Sequence, residues 1–466
     1  MNRHVAIGAL AVAVCGGAHA QSNEELKATL DQAMKTIQDL QARVKNLEQK
    51  EWAPPAGATA ATAAPAVAGA ATAPGAAPAT PSAFTLGAPV ISVGTRAQDG
   101  AADPGGARVE FYGQVMLDAI YDAKRMNPAW QATLRPSQIP VDCPADPGCG
   151  KDGAFAMSVR QSSLGMRATV PTPLGLVKTD LAFDLFGTDG GTSIHWLRVW
   201  AELGGWGAGQ TDSNFMNIDA FPSVIDYWGP AGMVFLRNPQ LRYTRTGEGT
   251  AWAVSLEAPN SVIDTGKLSQ VDPALGAGVT AHNQLPDLVG SFRWDGDWGH
   301  VKAAAIARRV GFQTSTTASG NPANEKTGYG LNLSGVLKLS GRDTVSWALA
   351  GGKAIASYMN DGGTDLAPDA SFRAQAVNSL GTSLYYAHAW NAALTSSIGY
   401  SQHRQDTTGG QAGNAFKSGS YASTNLLYSL TANVLIGGEY VWGRRENKDG
   451  SAASDSRFQF STRVTF

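Results

Sequence analysis

The chain has 466 residues, a formal net charge of −2 and only 16% charged side chains. That balance offers no basic stripe and gives no nucleic-acid partner. Beyond the N-terminus no apolar run approaches the roughly 18 residues of a spanning helix; this excludes a helical membrane protein but not a strand-built barrel, in whose strands only every second residue must be apolar.

Residues 1–20 read as a secretory leader. Arg3 and His4 precede an apolar stretch from Val5 to Val14, and Ala18-His19-Ala20 is a small-x-small cleavage site before Gln21. Cys15 raises lipidation as an alternative, but Val14 is a poor fit for the small residue such sites need. Residues 21–51 carry heptads, with Leu30, Ile37 and Val44 at a and Leu26, Ala33, Leu40 and Leu47 at d. A coiled coil is expected there, since no domain adjoins it to take an amphipathic helix. Arg43-Val44-Lys45-Asn46-Leu47-Glu48 resembles the Arg-to-Glu motif of short trimeric coils, which favours three strands. Residues 52–107 are dominated by Ala, Pro, Gly and Thr, cannot bury a core, and are expected to form a disordered linker.

From Arg108 to Phe466 apolar and polar residues alternate over stretches of about ten, the strand period and strand length of an outer-membrane barrel. In the first stretch Val109, Phe111, Val115, Leu117, Ala119 and Tyr121 share one face, against Glu110, Tyr112, Gln114, Asp118 and Asp122. The pattern predicts an all-β transmembrane barrel of about 16 antiparallel strands. They are placed near 109–123, 154–169, 176–187, 193–203, 206–212, 233–246, 250–258, 286–296, 298–311, 327–340, 343–357, 371–388, 392–405, 418–431, 433–446 and 456–466. Short connections such as Thr246-Gly247-Glu248-Gly249 alternate with long ones, and in such barrels the short turns are periplasmic. The last strand ends on Phe458, Phe460, Val464 and Phe466 on one face, which resembles the signal read by the barrel insertion machinery.

Cys143 and Cys149 lie in a turn-rich segment of an exported chain, where a local disulfide is expected; a metal site and two free thiols are the alternatives. A barrel of this size leaves an aqueous lumen that side chains do not fill. Its expected inward residues are hydrophilic: Glu110, Gln114, Asp118, Arg167, Lys178, Asp180, Arg198, Glu202, Gln240, Arg242, Arg293 and Arg463. Residues 211–230 are rich in apolar and aromatic side chains, and are expected to fold inward as a constriction loop; a surface or subunit-contact loop is the alternative. Its candidates are Asp212, Asp219, Asp226 and Tyr227.

The segments 113–124 (GQVMLDAIYDAK), 160–167 (RQSSLGMR), 172–175 (TPLG), 183–187 (FDLFG), 201–203 (AEL) and 209–216 (GQTDSNFM) resemble the DcaP-like trimeric porins, best over residues 108–245. The N-terminal heptads and linker resemble that family's periplasmic extension. The resemblance implies a homotrimer of barrels in the outer membrane of a Gram-negative bacterium, contacting its lipid and lipopolysaccharide. It also implies uptake of small organic anions, dicarboxylates included. Arg160, Arg167, Lys178, Arg198 and Arg242 are the basic positions of the matching region that would serve anion passage. Each has a competing role as a wall residue paired with a carboxylate.

An outer-membrane enzyme would need a His-centred nucleophile or base. His195, His282, His300, His388 and His403 sit in no such motif, so no catalytic residue, metal or cofactor is expected. A second alternative is an envelope tether, with the coiled coil and long linker reaching peptidoglycan from an anchoring barrel.

Overall fold

The computed structural model describes residues 91–92, 106–124, 126–144, 148–267, 279–314, 323–339, 341–371 and 373–466. The expected leader, the coiled coil and most of the linker lie outside these residues.

The strands are β1 (Arg108–Asp122), β2 (Ala154–Ser158 and Ser163–Thr172), β3 (Gly175–Phe186), β4 (Thr192–Leu203), β5 (Trp206–Asp212), β6 (Arg237–Gly247), β7 (Thr250–Glu257) and β8 (Asp287–Gly296). They continue as β9 (Gly299–Thr314), β10 (Ala323–Lys338), β11 (Thr344–Lys353), β12 (Asn378–Ala389), β13 (Leu394–Gln405), β14 (Phe416–Ser429), β15 (Val434–Asn447) and β16 (Ala452–Thr465). Each pairs antiparallel with its sequence neighbours. The wall closes where β1 meets β16, from Gln114 opposite Thr465 to Asp122 opposite Arg457. Closure is obligatory in hydrocarbon, where an unpaired sheet edge would strand every N–H and C=O along it. Ile91–Ser92, within the expected linker, pair with Phe111 and Glu110.

Alternation orients the side chains. Phe111, Val115, Leu117, Tyr121, Ile398, Leu426, Phe458 and Phe460 stand exposed on the outer face, while Asp118, Asp122, Ser401, Asn425, Gln459 and Ser461 are buried on the inner one. An exposed apolar belt of this kind is the surface that lipid covers.

One rim carries seven short turns, at 173–174, 204–205, 248–249, 297–298, 339–343, 390–393 and 430–433. At the other rim, three long connections leave their strands and pack inside the barrel. L1 (123–153) buries Trp130, Leu134 and Ile139; L3 (213–236) buries Phe215, Met216, Ile225 and Val234; L6 (354–377) buries Ile355, Tyr358 and Met359. Two glycines make room for them. A Cβ on Gly232 of L3 would fall 2.1 Å from the carbonyl oxygen of Gln402, and one on Gly443 of β15 would fall 2.3 Å from a methyl of Leu134. Cys143 and Cys149 of L1 are joined by a disulfide, their Cα atoms 5.8 Å apart.

The sequence starts strands near 233 and 371, whereas the structure starts them at Arg237 and Asn378. Met233 and Val234 are instead buried in L3, and Leu366–Pro368 pairs with Ala374–Ala376 in a small hairpin of L6. In both places apolar residues that suit a strand are recruited to loops packing inside the barrel.

Candidate functional site

The inner wall has two kinds of surface. Along β12–β16 and β1 the inward side chains are covered by loops. Tyr385, Tyr421, Leu427, Val441, Met116 and Ile120 are buried there, with L3 and L1 residues packed against the first five. Between them run buried polar contacts. Glu439 accepts from the backbone N–H groups of Ile225 and Asp226 at 2.9 and 3.1 Å, and Gln161 and Gln459 donate to the Ile225 carbonyl at 2.9 and 3.1 Å. Arg457, fully buried, pairs with Asp122 at 2.7 Å and with Asp226 at 3.4 Å. L3 is thus fastened to the wall by carboxylates and a guanidinium as well as by apolar burial.

Along β2–β6 and the turn-side halves of β8 and β9 inward charged side chains stay partly exposed. Arg167 retains 46% of its side-chain exposure and lies over the Tyr112 ring, its guanidinium 4.1 Å from the centroid. Asp180 is shared by Arg167 at 3.5 Å and Arg198 at 3.6 Å, and accepts from Tyr112. Asp212, the last residue of β5, is shared by Arg198 at 3.4 Å and Arg237 at 2.8 Å. Arg242 donates to the Asp212 carbonyl oxygen and to Gln240, and Arg293 binds Asp219 of L3 and Asp295. Lys302 donates to the Met216 carbonyl at 2.7 Å. The result is a ladder in which guanidinium groups flank each of Asp180 and Asp212 on both sides. Lys178 and Arg463, facing inward near the short turns, have no hydrogen-bond or ion-pair partner among the described residues.

The residues singled out from sequence therefore separate. Arg167, Arg198 and Arg242 join the ladder, with Lys178 below it. Arg160 instead holds the short connection after β3, donating to Thr192 at 3.0 Å and the Gly190 carbonyl at 2.7 Å. Of the L3 candidates, Asp219 is 38% exposed toward the lumen, whereas Asp226 is buried beneath Arg457, Thr133 and the Leu134 N–H. Tyr227 stacks on Phe186 with centroids 4.0 Å apart and donates to Asp184 at 2.5 Å, beside His195. Sequence reasoning did not single out Arg237, Lys302, Glu439 or Arg457. It also missed Arg308, fully buried between Asp287 and Asp365, which donates to the Ala354 carbonyl of L6 at 2.8 Å. The available signal was a charged residue at an inward position of an alternating strand.

Residues 93–265 match the sequence profile of the DcaP outer membrane protein family. The fold is similar to the crystal structure of the outer membrane channel DcaP of Acinetobacter baumannii, with a TM-score of 0.66 at 21% identity, covering 79% of this chain and all of that one. It is also similar to the anion-selective porin of Comamonas acidovorans, with a TM-score of 0.50 at 11% identity, covering 77% of this chain and all of that one. No curated protein matches the sequence. The barrel thus has an outer-membrane porin-like channel fold.

Proposed function

We propose that the protein is a porin for passive diffusion of small hydrophilic solutes, preferring small organic anions such as dicarboxylates. The observation that carries this reading is the partly exposed arginine ladder on one side of the lumen, while the opposite wall is covered by loops. Arg167, Arg198, Arg237 and Arg242 outnumber Asp180 and Asp212 there, and a surplus of one charge sign on a pore wall biases passage by electrostatics at short range. Arg167, Lys178, Arg198 and Arg242 would meet the solute, with Arg293 and Asp219 at the narrowing made by L3. No step in this function calls on catalysis or a cofactor.

In the same reading residues 1–20 direct export, residues 21–51 form a periplasmic coiled coil, and residues 52–107 link it to a barrel that assembles as a homotrimer. Planar-bilayer recordings under a salt gradient test the selectivity: an anion-selective reversal potential and current block by dicarboxylates are expected, and cation selectivity would overturn it. The tether alternative is separated by deleting residues 21–106. A porin keeps its conductance; a tether loses envelope integrity.

A further inference from the structure

Outside the lumen, the long-loop ends of β13–β15 carry charge where the rest of the outer face is apolar. Arg404 lies opposite Ser418, and Ser418 opposite Glu446; one row nearer the membrane, Gln402 lies opposite Ser420, and Ser420 opposite Arg444. Lys417 sits in the register shift between Phe416 and Ser418 and binds Glu446 at 2.8 Å. Arg404 and Arg444 both act electrostatically on Glu446, and neither has a hydrogen-bond or ion-pair partner among the described residues. Asp406, the other nearby acid, accepts from Asn378 at 2.6 Å. The two arginines stand two strands and one row apart, about 12 Å at the backbone, which places both long side chains within reach of one bulky anion. Between them Gln402 and Tyr400 both hydrogen-bond the Ser420 hydroxyl at 3.0 Å.

Nearer the membrane centre the outer wall turns aromatic and then hollow. Trp442 and Tyr440 follow Arg444 on the outward side of β15, and Tyr440 packs on Phe458 with centroids 4.9 Å apart. Next comes Gly438. Around it lies a groove of about 470 Å³, walled by Tyr121, Phe155, Tyr440, Phe458 and Phe460. A Cβ on Gly438 would meet nothing within 4 Å. Six residues of strand separate Arg444 from Gly438, about 20 Å at roughly 3.4 Å per residue. Cations at the interface, an aromatic belt, and an apolar groove at mid-membrane depth are stacked in the order of a lipid's own parts.

We infer that this outer face is a binding site for an outer-leaflet lipid with a phosphorylated headgroup: Arg404, Arg444 and Lys417 take the phosphate, and the Gly438 groove takes an acyl chain. Arginine's planar fork suits phosphate oxygens, and two arginines lacking an acid partner leave the patch short of anionic charge. Charge complementarity selects the lipid over a second barrel, whose matching face would have to bury these guanidinium groups.

The test is native mass spectrometry of the full-length protein in detergent, titrated with purified bis-phosphorylated lipid A. Tight adducts are expected on the unaltered protein. Affinity should fall at least tenfold both on removal of the lipid's phosphates and in an Arg404→Ser/Arg444→Ser variant, and the two losses should not add. Gly438→Phe, which fills the groove, should weaken lipid A binding while leaving conductance and heat-modifiable gel mobility unchanged; it also keeps the idea testable should the double variant misfold. Three results overturn the site. One is lipid A binding indifferent to all these changes. Another is inorganic phosphate displacing lipid A at equal concentration, which would mark a soluble-anion site. The third is a disulfide between two copies through Arg444→Cys, which would mark a barrel contact.

Discussion

The two sides of the lumen use one architecture for opposite ends. On β12–β16 and β1, inward residues such as Ser401, Tyr421, Val441 and Arg457 are removed from water by L1 and L3. On β2–β6, Arg167 and Arg198 keep 46% and 28% of their side-chain exposure at the same inward positions. The strand period cannot tell these walls apart. What separates them is which loops come to rest on them, so a large barrel becomes a channel by having one side filled with its own loops.

Removing the Arg457 guanidinium attacks the sealed side hardest. Arg457→Met leaves Asp122 and Asp226 buried without their cation, a loss of about 3–5 kcal/mol for an orphaned buried charge. A lower thermal midpoint in heat-modifiability gels, with larger and noisier single-channel currents as L3 loosens, is the expected outcome. Unchanged currents and midpoint would mean L3 does not depend on this pair.

On the partly exposed side, Arg198→Glu combined with Arg293→Glu should leave folding intact and swing the reversal potential toward cations. The anion-to-cation permeability ratio should fall several-fold, because the side chains flanking Asp180 and Asp219 change sign. Arg457→Met should instead change conductance more than selectivity. Bilayer recordings under a salt gradient distinguish the two.

A smaller effect is expected at the seam between the walls. Tyr227→Phe keeps the stack on Phe186 and loses the bond to Asp184, about 0.5–1.5 kcal/mol of loop attachment. Faster closing events at constant mean conductance would report it.

The smallest effect lies outside the lumen. Asp343, in the turn between β10 and β11, is held down to about 2 from its ordinary 3.8 by the Tyr386 hydroxyl, then by His388 and the Ala389 N–H. A carboxyl lowered by folding contributes stability that is fully present above 3.8 and is lost as pH falls through about 2. The side chain sits partly exposed in a surface turn, so solvent screens it. Asp343→Asn should therefore cost little at neutral pH and flatten the acid limb of the unfolding curve between about 4 and 2.

Much of the fold was legible because hydrocarbon leaves little freedom. Phe111, Val115, Leu117 and Tyr121 had to share a face, and that fixed β1 and the inward parity of Asp118 and Asp122. The turn at 430–433 carries neither Gly nor Pro; the Thr431 hydroxyl makes it by accepting from the Asn433 and Val434 N–H groups at 3.2 and 3.1 Å. L3 showed itself through Phe215, Met216 and Ile225, too apolar for a solvated loop. L1 and L6 carried the same kind of signal in Trp130, Leu134 and Ile139 and in Ile355, Tyr358 and Met359. Their matching interruptions in the wall, Tyr421 and Val441 among them, read only as irregular alternation. The ladder was half legible: Arg167, Arg198 and Arg242 could be assigned a face, but that Asp212 bridges β4 to β6 depends on the register across three strands, which no local pattern encodes.

Cysteine accessibility from water tests the division of the lumen most directly. Cys143 and Cys149 are bonded to each other and Cys15 belongs to the proposed leader, so in the exported chain a single new thiol is readable. With the channel in a bilayer, a charged methanethiosulfonate reagent should rapidly change the current through Arg293→Cys and leave Ser423→Cys, on the covered wall, untouched. Equal and rapid modification of both would contradict a lumen with one sealed side and one open side.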